Sequence, residues 1–500
     1  MSEIVDVLAG MRKRWTRVLE PTCGQGSFVR GILDSELTIR EIYGVEIQRG
    51  HLEKARRSCT SSRRTRVELR TGDVFKIAFQ DELSWREKGP LLVVGNPPWV
   101  TNSELGSLGS SNVPKKSNLK NLRGIDAMTG ESNFDIAEFI WLKLLKDLQH
   151  ERPTIALLCK TSVARNVLKY AHDTDLPITD AAIRRLDAME WFGAAVDACL
   201  FSVQVTEGDA SYEAAVYEDL RAARPAYRIG FVNGQFVADI EAYSRTAFLD
   251  GASPMEWRQG VKHDAATVME LASSIENGTL TNKLGEVVNV EPDYLYPLLK
   301  GSDLHHERSP RMVVVVTQKR VGEDTTPLKR RAPQLWRYLE RHADVFTRRK
   351  SPIYNRQPAF SMFGVGDYSF APHKVAVSGF HKTPHFRAVG PIDGQPVMLD
   401  DTCYFVPCPS AEVAVLVTAL LNSAECQDFL RAIAFSDAKR PIQKKVLKRI
   451  NLQALLDHLG HAEVARRTGD TIRALEPWRS AAAAAISASG FALLADRRPE

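Results

Sequence analysis

Four consecutive residues, Asn96-Pro97-Pro98-Trp99, bring together what is needed to grip a planar amino group. Asn96 offers a carboxamide oxygen, and Trp99 a flat aromatic face. The two prolines fix φ and stiffen a stretch of backbone that can only accept hydrogen bonds. The quartet follows Leu91–Val94, a leucine and β-branched run closed by Gly95, which reads as a buried central strand. The turn therefore falls at the carboxyl end of a strand, where open α/β sheets place their ligands. A strand ending in a proline turn with a packing tryptophan is the plain alternative, and these residues alone do not decide between the two.

Acidic residues close three other strand-like runs. Thr16–Glu20 leads directly into Pro21-Thr22-Cys23-Gly24-Gln25-Gly26, and a helix begins by Phe28. Strand, glycine turn and helix form a cradle in which Gly24 and Gly26 let backbone approach a ligand closely. Val29 stands where a dinucleotide fingerprint needs its third glycine, and no Gly-Lys-Ser/Thr follows, so a phosphate-cradling P-loop is excluded. Glu20 suits a cationic ligand group. Glu46 closes Glu41–Ile47 about 20 residues on, where an acid typically binds the two hydroxyls of a ribose. Asp73 and Phe75 follow Val67–Gly72. Each acid taken singly could be a helix cap or a solvated strand end. Four ligand-type strand ends in one order are harder to dismiss.

These residues need a parallel sheet to bring them to one edge. Helix-like connections such as His51–Cys59 alternate with the strands, and Thr154–Cys159, Ile183–Trp191 and Cys199–Val205 complete seven. The last two are close enough to pair as a hairpin. Thr101–Asn133, with Lys115, Lys116, Lys120 and Arg123, reads as a long loop and a lid over the turn. Ile136–Leu148 follows as a helix capped by Asn133 or Ser132, its stripe of Ile136, Phe139, Ile140, Leu144 and Leu148 read as core. The expected fold class is α/β: a Rossmann-like seven-stranded sheet over residues 1–225, then a mixed α/β module over 226–460 and a helical tail over 461–500.

Five hundred residues exceed one ordinary core, and 44% apolar with 25% charged residues is a soluble globular composition. Seven scattered cysteines without a C-x-x-C pair point to a reducing compartment rather than disulfides or zinc. No charged-then-apolar leader is found, and Val413–Leu421 is too short to span a bilayer, so the expected location is cytoplasmic, away from membranes. The net charge of +5 is modest, but residues 301–350 hold twelve Lys/Arg against six Asp/Glu. Trp336, Tyr354, Phe360 and Phe363 lie among or just after them, a pattern that favours nucleic acid. The histidines at 305, 306, 381 and 385 lack matching Cys or acidic partners and read as polar loop residues, and no metal is expected.

Glu-Pro-x-x-Gly-x-Gly-x-Phe at 20–28, the acid at 46, Gly-Asp-x-Phe at 72–75 and Asn-Pro-Pro-Trp at 96–99 together resemble the S-adenosylmethionine-dependent adenine-N6 DNA methyltransferases of restriction–modification systems. The likeness covers residues 16–205 and is to the subgroup whose target-recognition domain follows the catalytic one. Tyr296–Gly301 and Lys439-Arg440-Pro441 look like segments of such recognition domains. The resemblance implies that Glu20, Cys23, Gly24 and Gly26 surround the methionine part of the cofactor. It gives Glu46 the ribose hydroxyls, and Asp73 and Phe75 the cofactor's adenine. Asn96 and the Pro97 carbonyl, stiffened by Pro98, would accept the target amino N–H bonds. Trp99 would stack on a flipped adenine, with Phe192 packing against it. Implied partners are double-stranded DNA and a separate restriction endonuclease, with the enzyme itself a monomer. Met1–Arg17 carries no Thr-Pro turn of the kind the family places before the first glycine motif. Rival readings are a protein glutamine-N5 methyltransferase, an RNA amino methyltransferase, and a catalytically weak DNA-binding relative.

Overall fold

The computed structural model describes residues 1–11, 13–99, 135–193, 196–273 and 279–468. The expected lid, Thr101–Asn133, and the tail beyond 468 lie outside them. The chain divides into two units, Met1–Glu241 and Ala242–Glu500.

The first unit is built on runs that are apolar on both faces, as strands of a covered parallel sheet must be. β1 (Arg17–Glu20), β2 (Glu41–Glu46) and β4 (Leu91–Gly95) are buried at every residue. β3 (Arg66–Thr71) sits at the edge and is half-exposed. With β5 (Thr154–Lys160), β6 (Ile178–Asp187) and β7 (Asp197–Val205) they form the order β3-β2-β1-β4-β5-β7-β6. Strands β1 to β5 run parallel, β7 is antiparallel to β5, and β6 pairs antiparallel with β7 as expected. The chain leaves β1 for β2 on one side and returns through β4 on the other. That reversal opens a crevice at the carboxyl ends of β1 and β4.

Helices cover the sheet. α1 (Ser2–Ala9) buries Ile4, Val5 and Leu8, and Val5 reaches Gly31 of α2 (Ser27–Leu33). α3 (Arg49–Ser58) follows β2, and α4 (Ile136–Asp147) and α5 (Thr161–Asp173) flank β5. The cap of α4 is Asp135, whose Oδ1 accepts the Ala137 N–H at 3.0 Å. That replaces the expected Asn133 or Ser132, both outside the described residues.

Two sequence expectations are corrected here. The run read as one strand over Ile183–Trp191 ends at Asp187, and Ala188–Phe192 is a short helix, α6. Asp187 Oδ1 caps it by accepting from Met189 N and Glu190 N at 2.9 and 3.2 Å. The sheet also continues past seven strands through β8 (Ala214–Tyr217), β9 (Tyr227–Val232) and β10 (Gln235–Val237). β9 and β10 join through Asn233-Gly234, both at positive φ (50° and 74°), the two-residue turn that matches strand twist. A boundary at 225 would cut the β8–β9 pair, so the first unit runs to Glu241.

The second unit holds a five-stranded and a four-stranded sheet with intervening helices, the expected mixed α/β composition. β11 (Arg258–Gln259), β19 (Cys403–Cys408), β16 (His373–Ser378) and β17 (Arg387–Val389) form the smaller sheet. The larger has the order β13 (Leu280–Thr281), β12 (Glu270–Ser273), β15 (Met312–Val315), β14 (Leu295–Leu299), β18 (Met398–Leu399). Gly301, just past β14, has no room for a side chain, since a Cβ there would lie 2.5 Å from Thr402 Oγ1. Among the described residues, no single helix is long and apolar enough to cross a membrane.

Candidate active site

The parallel strands deliver Glu20, Glu46, Asp73 and Asn96 to one edge of the sheet. A Cβ on Gly95 would sit 3.6 Å from Glu20 Cγ, so the acid-glycine turn and the Asn-Pro-Pro-Trp turn adjoin across the crevice. Glu46 shapes the cradle: its Oε2 accepts the Gly24 N–H at 2.9 Å and its Oε1 the Gln48 N–H at 2.8 Å. Gly24 and Gly26 take left-handed φ values of 52° and 81°. A Cβ at Gly26 would strike Cys59 Sγ at 2.7 Å, whereas at Gly24 nothing lies within 4 Å. The loop is held tightly below and open above.

Glu20 is buried beside Glu46, and burial pushes its carboxyl well above the usual range. A backbone hydrogen bond at Val29 opposes that shift, and the Glu46 charge adds to it. Asp73 Oδ1 accepts the Phe75 N–H at 3.0 Å, and its Oδ2 lies 3.3 Å from the exposed Lys76 amine. Among the described residues of the first unit, the buried side-chain oxygens with no hydrogen-bond partner are Glu20 Oε2, Thr22 Oγ1, Asp73 Oδ2 and Asn96 Oδ1. All four belong to this edge. Buried polar atoms are nearly always satisfied, and a group of orphans on one crevice marks a place built for a ligand.

Trp99 is fixed by donating Nε1–H to the Leu158 carbonyl at 3.2 Å. Its ring meets Phe192 edge-on, with centroids 4.9 Å apart at 75°. Phe192 reaches this position from α6, which explains why that helix matters to a site otherwise made by strand ends.

No family model matches the chain. The curated type II methyltransferase M.NspV of Nostoc sp. (strain ATCC 29411 / PCC 7524) is 38% identical over 441 residues, which is 88% of this chain and 91% of that protein. The chain belongs to the type II methyltransferases of restriction–modification systems. Its methyl donor is S-adenosylmethionine. Among solved structures, the type IIL restriction–modification enzyme MmeI, determined in complex with DNA, matches with a TM-score of 0.56 at 13% identity. That likeness covers 98% of this chain and 72% of MmeI, and it bears on the fold.

Within this type II methyltransferase the cradle fits its donor by charge and shape. Glu20 keeps an unpartnered buried oxygen beside Glu46, whose own two oxygens serve Gly24 and Gln48, and the open face of Gly24 leaves room for a cationic ligand group. Cys23 anchors the glycine loop. Its backbone N–H bonds to the Val45 carbonyl and its own carbonyl to Gly26 N–H, both at 2.8 Å. Its buried Sγ lies 3.1 Å from where a Cβ on Gly44 would stand, so the Cys23 side chain packs beneath the loop. Phe139 joins the site unannounced. It belongs to the apolar stripe of α4, yet its ring packs edge-on against Phe75 at 5.4 Å. Nearby, Asp135 pairs with Lys160 at 2.8 Å. Glu138, pushed up to about 7 by burial, accepts from Asn166 at 2.8 Å. These bonds clamp the start of α4 to β5 and α5. A helix stripe gives no sign in sequence of which member faces a strand end, and so Phe139 was missed.

Proposed function

We propose that this protein is a site-specific DNA methyltransferase that modifies the N6 amino group of adenine. The orphaned Oδ1 of Asn96, buried at the mouth of the crevice beside Glu20, carries this reading. Glu20 and Glu46 hold the methionine and ribose parts of S-adenosylmethionine over the open face of Gly24. Asp73, Phe75 and Phe139 enclose its adenine. When bound, the cofactor supplies an electrophilic methyl group on a sulfonium sulfur.

The acceptor poses the harder problem. An exocyclic aromatic amine delocalises its lone pair into the ring and is a poor nucleophile. Asn96 Oδ1 and the Pro97 carbonyl accept its two N–H bonds and draw the nitrogen toward tetrahedral geometry, which localises the lone pair. Orientation and fixed dipoles do this work. The target base must leave the duplex, at a cost of a few kcal/mol. Stacking on Trp99, worth about 1–3 kcal/mol, offsets much of that. DNA recognition falls to the second unit, where exposed Lys and Arg cluster between residues 308 and 350 and where a DNA-bound structural relative also extends.

Sequencing modified bases in DNA from cells expressing the protein tests the reading. N6-methyladenine at one recurring sequence supports it. Unmodified DNA together with methylated glutamine or RNA would favour the rival methyltransferases.

A further inference from the structure

The second unit contains a cavity of about 150 Å³ where β14 begins and β15 ends, bounded on one side by the short helix α7 (Leu328–Arg331). Its floor is buried and already satisfied. Thr317 Oγ1 donates to the Phe360 carbonyl at 2.8 Å, and Gln318 spends its amide on Glu323 O and Met362 N at 2.6 and 2.9 Å. The walls are aromatic: Tyr294, Tyr296 and Phe370, the last two edge-on at 5.5 Å. The rim carries Asp293, Lys319 and Arg331, all exposed, whose charged ends make no hydrogen bond or ion pair among the described residues. Neither tyrosine hydroxyl has a partner among them.

Three properties select an occupant. A cavity of about 150 Å³ takes one six-membered ring. Aromatic walls suit a planar group, and unengaged donors and acceptors at the rim suit one whose edge carries both kinds of site. The charge of the lining discriminates further. Lys319 and Arg331 face Asp293, Glu323 and Asp324, two cations against three carboxylates, which disfavours a phosphate. A nucleobase has the remaining chemistry: a stacking face, with acceptors that suit arginine and amino groups that suit aspartate.

We propose that this cavity receives one nucleobase of the DNA and that Asp293, Tyr296 and Arg331 set which base is accepted at that position. This rests on the DNA methyltransferase reading above and adds the residues that choose the sequence. Asp293→Asn and Arg331→Ala alter the exposed rim and leave the floor intact. Tyr296→Phe removes only a hydroxyl.

The test uses the full-length protein and these three variants. Wild-type sites are first defined by modified-base sequencing, and kcat/KM is then measured on the cognate duplex and on duplexes changed at one base pair at a time. The expected result is that Asp293→Asn and Arg331→Ala lose about tenfold or more of the discrimination at a single shared position. Discrimination at the other positions, and cofactor affinity, stay as in wild type. Equal weakening on every duplex would overturn the proposal, because that is how a backbone contact behaves. Unchanged discrimination would also overturn it, with the DNA methyltransferase reading left standing. A wild-type protein that modifies no DNA would remove that reading and this proposal with it.

Discussion

Asn96 and Glu20 stand at the same crevice, each with a buried oxygen that lacks a hydrogen-bond partner, and the proposed roles give them opposite needs, a donor on the substrate and a positive charge. Asn96→Ala should abolish methyl transfer and leave S-adenosylmethionine affinity within a fewfold of wild type, as measured by turnover beside calorimetry. Retained turnover would mean that the turn is structural. Glu20 makes a sharper statement about pH. Burial raises its carboxyl, so the group keeps its proton to higher pH than an exposed carboxyl and gives it up more readily beside a cation. If Glu20 receives the ammonium of the donor, binding should release a proton and affinity should rise with pH, by at most about tenfold per unit for one coupled proton. Glu20→Gln should weaken binding and flatten that dependence. Calorimetry in buffers of different ionisation enthalpy reads the proton directly. The strand-end acids and the Asn-Pro-Pro-Trp turn were legible in the sequence because a parallel sheet leaves strand ends few other places to go. Phe139 was not, since which member of a helix stripe faces a strand end is decided by packing.

α6 is the element that sequence periodicity misread. Leu186, Met189, Trp191 and Phe192 are apolar enough to extend a strand, yet Asp187 three residues before Glu190 is the pattern of a helix start. The cap delivers Phe192 to Trp99. Asp187→Ala should cost about 0.5–2 kcal/mol of local helix stability. It should also raise KM for the acceptor while cofactor affinity holds, a split that steady-state kinetics resolves. Asn233-Gly234 is a second signal that was present and passed over, a hairpin turn lengthening the first sheet beyond the expected boundary. The histidines at 305 and 381 behave as packing groups: their rings stack at 3.7 Å within 10° of parallel, and His385 reaches Glu307 at 2.8 Å. Among the described residues no group of three or more His, Cys, Asp or Glu is placed to hold a metal ion.

At the scale of the whole chain, charge counted along the sequence proved a blunt guide to what faces solvent. Arg349 stacks on Tyr354 with its guanidinium carbon 3.7 Å from the ring centroid and donates to the Ser361 carbonyl at 2.6 Å. Arg449 is bound to Asp250 through two nitrogens, at 2.9 and 2.5 Å, and Arg311 pairs with buried Asp303 at 2.7 Å. Arg348 and Lys350 remain exposed. Neutralising these two should lower the dependence of log affinity on log salt by up to about 2 and weaken all DNA alike. Arg349→Ala should lower Tm instead.

Lys374 should make the fold itself pH-dependent. It is buried on β16 with only the carbonyls of Ala371 and Val397 as partners among the described residues, and burial brings its amine from 10.5 to about 8. Below pH 8 the amine is charged in both folded and unfolded chains, and folding bears the full cost of burying it. Between about 8 and 10.5 the folded chain sheds the proton first, so stability should rise with pH, by about 3 kcal/mol at most. Lys374→Met should remove that rise in urea unfolding.

We infer that the crevice beside Asn96 methylates the amino group of adenine in duplex DNA. Incubating the purified protein with duplex DNA and isotopically labelled S-adenosylmethionine, then resolving the nucleosides by mass spectrometry, tests it most directly. The expected outcome is label in N6-methyl-2′-deoxyadenosine alone for wild type and none for Asn96→Ala. Label in N4- or C5-methylcytosine, or unlabelled DNA from an enzyme that methylates protein or RNA, would contradict it.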